Sequence, residues 1–572
     1  MDWIHRFRAG ALPARGSGLG LFLFVLASVC CLSLLPIGRL LLESIAPHGN
    51  FSLDTLRDVL NSKSTWRALG HSLETGVLAT LLATAMGACM GVLVALTDMR
   101  FKGALTFCFM MPMMIPPQIT ALSWLQLFGP SSVLLNMLDL APAPGSPHPM
   151  YSRRGIILLL GIQQAPLVFL SLKAGLAAMP REMVEAARTC GAGHWRVLHT
   201  IVLPLMTPSL TAGMALAFVS CIGNFGIPAM LGIPAGYTVL TTLIYQRLAD
   251  FGPEMISQVA GLSMLIGLMA LAGVLLQSWA LNSRDYRLVG SPSAPLNYRL
   301  GALRPVVESC CWLVIILILI VPACALVCSS LVPAFGVKLG WETATPGNYA
   351  NVLLSHEATT RAFANSFFLA GSAAAILACI GIPLGYFLVW RKNPLFKLLN
   401  PLAELPYALP GVVLSIGCIL LFLKPLPLVG VSIYGTVWII LAAYLARFLA
   451  MVLRPVASGY SQTDQALEEA GQMCGAGFFE RMRSIVIPLI FPAAAAGALF
   501  VFLAAFNELT VSVLLWSSGA ETVGVVIFNL DESGNAALAS AVSVLVIAAV
   551  LLLMGFVSLV GRKAPQGVVP WQ

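Results

Sequence analysis

The chain has 572 residues, 58% of them hydrophobic and 10% charged, and carries a net charge of +8. So apolar a chain is not a water-soluble globular protein, because too few polar side chains remain to cover its surface. The excess cations do not mark a nucleic-acid binder either, since Lys and Arg are scattered through short loops between apolar runs.

Apolar runs of about 20 residues, the length that crosses a bilayer as a helix, predict twelve spans. The first six are 19–42, 72–96, 105–128, 155–178, 205–230 and 257–280. The second six are 309–332, 367–390, 400–423, 435–456, 489–514 and 536–561. Helix is the expected state because lipid offers the backbone no hydrogen-bond partner. The first run is too long for a cleaved signal peptide and too weakly followed by a cleavage site, so it reads as a retained anchor. The linkers at 281–308 and 333–366 are short and rich in Gly, Pro, Ser and Asn. Neither has room for a second soluble domain.

With the amino terminus inside, the inside loops hold about 20 Lys and Arg against about 9 outside. The inside set includes Arg6, Arg8, Arg15, Arg100, Lys102, Arg284, Arg287, Arg299, Arg304, Arg391, Lys392, Lys397, Arg562 and Lys563. That bias predicts both termini in the cytoplasm. Eleven of the 13 cysteines lie in or beside apolar runs and read as small apolar filler, with no zinc or haem spacing.

The chain repeats itself. Gly87 and Gly91 return as Gly381 and Gly385, and Pro112 and Pro116 return as Pro406 and Pro410, both at an offset of 294 residues. TCGAGHWRVLHTIVLPLMTP at 189–208 returns as MCGAGFFERMRSIVIPLIFP at 473–492, an offset of 284. The second copy therefore lacks about ten residues, lost from the Pro-rich 129–154 loop. Six spans per copy keep the same orientation, so the repeats are parallel. The fold class expected is an all-α integral membrane protein of two tandem six-helix halves. These are residues 1–285 and 309–572, joined by a linker at 286–308.

The polar segments carry the sharpest pattern. Glu185-Ala186-Ala187 is followed by Gly191, nine residues, then Ile201-x-Leu203-Pro204. Glu469-Ala470-Gly471 is followed by Gly475, nine residues, then Ile485-x-Ile487-Pro488. A helix-favouring run precedes each glycine, which can end the helix and turn the chain. This pattern resembles the EAA loop of ABC importer permeases of the type I fold, here at about 181–204 and 465–488. The resemblance implies a bacterial inner-membrane subunit whose two loops each dock on one monomer of a separate, homodimeric ATPase. It also implies a periplasmic or extracellular substrate-binding protein as partner. Gly471 departs from the pattern, where alanine is expected, and weakens its helix by roughly 1 kcal/mol. The chain has no GxxxxGK[ST] phosphate loop and no HExxH hydrolase signature. It is therefore expected to be a transport subunit with no cofactor of its own, with ATP and Mg on the partner.

Fused twelve-span permeases resemble importers of ferric iron, thiamine, polyamines and 2-aminoethylphosphonate-type solutes. The stretches 224–248, 506–530 and the closing GVVPWQ look most like the iron(III) branch. An ion-gradient-driven secondary transporter is the competing class, but its charged relays are sparse here. That class would also leave the paired loops unexplained, and a non-transporting membrane scaffold is a further alternative.

Glu404, Arg447 and Glu508 fall inside apolar runs, where charge is expensive. Two readings stand: a structural pair between Arg447 and one carboxylate, or a carboxylate lining a cation path, since hard cations prefer oxygen ligands. In the repeat alignment Glu508 faces Phe225 and Glu404 faces Met110, so neither carboxylate has an acidic counterpart. No metal site is assigned.

Overall fold

The computed structural model describes residues 18–46, 51–52, 54–143, 145–177, 179, 181–250, 255–282, 298–334, 336–391, 394–425 and 430–561. Arg6, Arg8, Arg15, Arg284, Arg287, Lys392, Arg562, Lys563, the closing GVVPWQ and the linker up to residue 297 lie outside them.

Among the described residues ten helices are long and apolar enough to cross a membrane, and counting each of two bent pairs as one span brings the number to twelve. We label them α1 (Leu19–Ile45), α2 (Lys63–Leu96), α3 (Lys102–Met114 with Pro117–Met137), α4 (Arg153–Ala177), α5 (Leu198–Gly223) and α6 (Met255–Gln277). The second half follows with α7 (Gly301–Ser330), α8 (Glu357–Trp390), α9 (Asn400–Ala408 with Gly411–Phe422), α10 (Val437–Gln462), α11 (Phe478–Phe506) and α12 (Ala536–Ser558).

Two of the expected continuous helices are broken. α3 bends by 99° and α9 by 107°. Each bend sits at a matched proline, Pro116 or Pro410, whose extended backbone (ψ 135° and 140°) cannot continue a helix. Sequence hydropathy registers only the apolar run and so passes over the bend. α5 and α11 also end earlier than their apolar runs, at Gly223 and Phe506. Glu508 therefore lies beyond α11 rather than inside it.

The paired glycines serve close packing. A Cβ on Gly87 would fall 2.5 Å from the Ala165 carbonyl oxygen of α4, and one on Gly381 would fall 2.8 Å from Val452 Cγ1 of α10. Small residues let these backbones approach where side chains would hold them apart. α2 packs on α4 and α5, and α8 packs on α10 and α11 in the same way.

The first span of each half packs on the other half. Leu35–Ile45 of α1 lies against Gly411–Phe422 of α9, and Val321–Ser330 of α7 lies against Pro117–Phe128 of α3. Gly417 allows the first contact, since a Cβ there would meet the Pro36 carbonyl at 2.6 Å. The two halves thus exchange their leading helices, and the segment after each break is held between both.

Candidate coupling segments and the interface of the halves

Both Gly-interrupted segments fold alike. A short helix, Arg181–Thr189 or Ala466–Met473, ends at a glycine with φ +83° (Gly191) or +84° (Gly475). A side chain rarely adopts that left-handed conformation. The turn is closed by matched bonds: Ala192 N–H donates to the Ala187 carbonyl, and Ala476 N–H donates to the Gly471 carbonyl. These six-to-one bonds satisfy the last carbonyls of each short helix. A second helical turn follows, His194–Val197 or Phe478–Arg481, then a π turn. Pro204 and Pro488 then stand in the first turn of the next α-helical stretch, where a missing N–H does no harm. Glu185, Ala186, Gly191, Glu469, Ala470 and Gly475 are exposed, whereas Ala187 and Ile201 pack on an apolar floor. Gly471 has a packing reason: a Cβ there would come within 2.6 Å of Ile485 Cδ1.

The floors beneath the two segments differ. Under the first, Val184 and Val197 are fully buried with Leu172, Leu176, Val202 and Met206. The matched positions in the second are Glu468 and Arg481, both buried and joined at 2.7 Å. Glu468 also accepts from the Tyr386 hydroxyl and Arg391, both at 3.4 Å, from the end of α8 and just after it. Arg481 donates further to the Ala476 carbonyl within the turn. Sequence reasoning passed over this cluster. Its signal was a second carboxylate beside Glu469 at a place where the first copy is apolar.

The first segment has a tie of its own. Tyr298, at the start of the described linker, pairs its backbone with Leu96, the last residue of α2, and with Asp98 just after it. The Arg188 guanidinium lies 4.8 Å over its ring. Leu300 N–H donates to the Asp98 carboxylate and, with Arg304 beside it, holds that group below the usual carboxylate range.

At the breaks, Arg447 and Glu508 pair at 3.4 Å, with side chains 19% and 11% exposed. Arg447 also donates to the Leu409 carbonyl, freed by the α9 bend, and Glu508 accepts from Val511 N–H. The first half repeats the geometry with neutral groups: Gln163 donates to the Ile115 carbonyl, and Asn224 accepts from Ile227 N–H. Both pairs of residues stand 284 apart. Glu508 therefore corresponds to Asn224, not to Phe225, because the bond to the third residue on fixes the register. Glu404 does not join Arg447. It meets Arg454 at 3.5 Å with its side chain 40% exposed, away from the break.

The halves touch here. Asn507 donates to the Met114 carbonyl across the interface at 2.6 Å, and Gly223 lies against Pro410. Phe225 and Tyr245 of the first half meet Phe528 of the second at centroid distances of 5.7 and 6.0 Å. Beyond them, at the end opposite the Gly-interrupted segments, stand Asp531 and Glu532. Burial and the neighbouring Glu532 push the Asp531 carboxyl up to about 6. No cluster of three or more His, Cys, Asp or Glu among the described residues could hold a metal ion.

The model of the "Binding-protein-dependent transport system inner membrane component" family matches residues 87–285 and again 379–564, together more than half of the chain. The chain belongs to this family. It is a multi-pass membrane permease of ABC-type, binding-protein-dependent transport, built of two family units. The secondary-transporter and scaffold readings fall away with that membership. A probable ABC transporter permease of Sinorhizobium fredii is 25% identical over 96% of this chain and 97% of its own length. The ferric transport permease FbpB of Actinobacillus pleuropneumoniae is 26% identical over 79% of this chain, which spans 65% of that protein. The molybdenum transport permease ModB of Escherichia coli is 27% identical over 37% of this chain and 92% of its own length. That match takes in nearly all of the relative but well under half of this chain.

Proposed function

We propose that this chain is the membrane subunit of a binding-protein-dependent ABC importer that carries ferric iron. The substrate reading is carried by one observation: likeness to a ferric transport permease runs across 79% of the chain and so through both halves. The molybdenum permease is matched over only 37% of the chain.

The matched exposed turns at Gly191 and Gly475 support the coupling reading. Each would seat on one monomer of a homodimeric ATPase, which supplies the ATP site and Mg that this chain's sequence lacks. Glu185 and Glu469, exposed on the short helices, would face that partner. An even number of spans separates the two turns, so both lie on one side, and the Lys/Arg bias makes that side the cytoplasm. A periplasmic or extracellular binding protein would deliver the ion to the opposite end, where the Asp531 and Glu532 carboxylates offer the hard oxygens a ferric ion favours.

The test is reconstitution of the chain with its ATPase and binding protein in lipid vesicles. Radiolabelled ferric iron added outside with the binding protein should enter only when ATPase and ATP are enclosed inside, the orientation in which the coupling turns face the vesicle lumen. Uptake of molybdate or 2-aminoethylphosphonate in place of iron would overturn the substrate reading.

A further inference from the structure

We propose that Gln118 is a contact for the transported solute, sealed between the halves in this arrangement and uncovered when they part. Gln118 is the second residue after the α3 break. It is 0% exposed, and among the described residues neither its amide nitrogen nor its amide oxygen has a hydrogen-bond partner. Buried amides are ordinarily paired, since lost hydration must be replaced.

The side chain is threaded between two glycines. A Cβ on Gly226 of its own half would lie 3.5 Å from Gln118 Oε1, and one on Gly524 of the other half would lie 2.9 Å from Nε2. The slot is therefore formed by both halves and closes only because both positions lack side chains. Asn507 approaches from the second half: its nitrogen donates to the Met114 carbonyl, and its buried Oδ1 has no partner among the described residues. Polar atoms without partners thus collect where the halves meet beside a broken helix. Such breaks in a membrane protein are tolerated where the backbone is buried in protein or lines a passage.

The charged pair nearby is a weaker candidate for this contact. Each oxygen of Glu508 is engaged, by Arg447 or by Val511 N–H, and Arg447 also holds the Leu409 carbonyl. The two charges face one another. Gln118, in contrast, offers an oxygen and two N–H donors with nothing to bond. That set suits an oxygen-coated cargo: the amide oxygen toward a metal ion or its water hydrogens, the N–H groups toward water or anion oxygens. Val412 occupies the matched place in the second half at the 294-residue offset, so the contact is one-sided. The cargo class rests on the ferric reading, whereas the uncovering of Gln118 does not.

The experiment uses the complete complex in vesicles. Gln118→Cys is exposed to a charged methanethiosulfonate reagent, and the peptide carrying residue 118 is followed by mass spectrometry. Labelling should rise about tenfold or more when binding protein is present and a hydrolysis-deficient ATPase holds ATP, compared with the resting complex. Equal labelling in both states, or none in either, overturns the proposal. Ferric iron uptake by Gln118→Leu should fall about tenfold, with partial recovery in Gln118→Asn. Unchanged uptake by Gln118→Leu in an assembled complex would mean the amide holds an internal water only, and would also overturn it. If the unaltered complex carries no ferric iron, the cargo reading fails while the labelling result still decides Gln118.

Discussion

Val184 and Val197 close the floor of the first Gly-interrupted segment, and Glu468 and Arg481 fill the same places in the second. At the breaks the same substitution of chemistry recurs, with Gln163 and Asn224 in the first half and Arg447 and Glu508 in the second. The backbone is matched at both places, and at the breaks each side chain makes the same bond with it. The fold therefore does not require the charges. A buried ion pair is often no more stable than an apolar or neutral replacement, because desolvation offsets its Coulomb attraction. What it adds is direction. Glu468 ties the second segment to the end of α8 through Arg391 and Tyr386, whereas the first segment is tied to the linker through Arg188 and Tyr298.

The largest effect should come from splitting the buried pair. Arg481→Met leaves Glu468 with two partners at 3.4 Å and removes the one at 2.7 Å. A loss of about 3 kcal/mol or more is expected in detergent unfolding. Glu468→Val with Arg481→Val copies the first half and should recover most of that loss. A double variant as unstable as the single would break the equivalence of the two floors.

Next come the breaks. Arg447→Gln with Glu508→Asn, the first-half residues, should stay within about 1 kcal/mol of the parent, whereas either change alone should cost about 1–3 kcal/mol by stranding its partner. Glu508→Gln sharpens the point. If the carboxylate serves only Arg447, ferric iron uptake by the assembled variant should follow its stability. If it lines the path, uptake should fall with stability held.

The glycine turns test what the halves share. Gly191→Val and Gly475→Val each force a β-branched residue to φ above +80°, a strain of order 1–3 kcal/mol. Both segments are exposed there, so the global fold should survive and ATPase binding should weaken, read by co-purification. Loss at Gly475 alone would show that the charged floor makes the second segment the dominant contact.

The smallest effect concerns pH. The folded Asp531 carboxyl titrates near 6, above its ordinary 3.8. The folded state thus holds this proton more tightly, and its ionisation disfavours the fold. Stability should rise as pH falls from about 7 toward 4, by an amount that Asp531→Asn removes. A pH profile unchanged in that variant would place the titration elsewhere, with Glu532 the nearest other carboxylate.

The spans, their duplication and the two glycine turns were legible in the sequence for a physical reason. Lipid imposes long apolar runs, and a left-handed turn closing a helix selects glycine, so both leave local signatures. Gly191 and Gly475 needed no structure to be found. The bends at Pro116 and Pro410 did, because a proline inside an apolar run kinks some helices and merely ends others, and the neighbours decide. Tertiary structure alone placed Leu35–Ile45 on the second half, paired Arg447 with Glu508 and not with Glu404, and aligned Glu508 with Asn224. It alone left Gln118, between Gly226 and Gly524, without a partner among the described residues. These are contacts between residues far apart in the chain, and hydropathy along the chain carries no record of which distant group a side chain will meet.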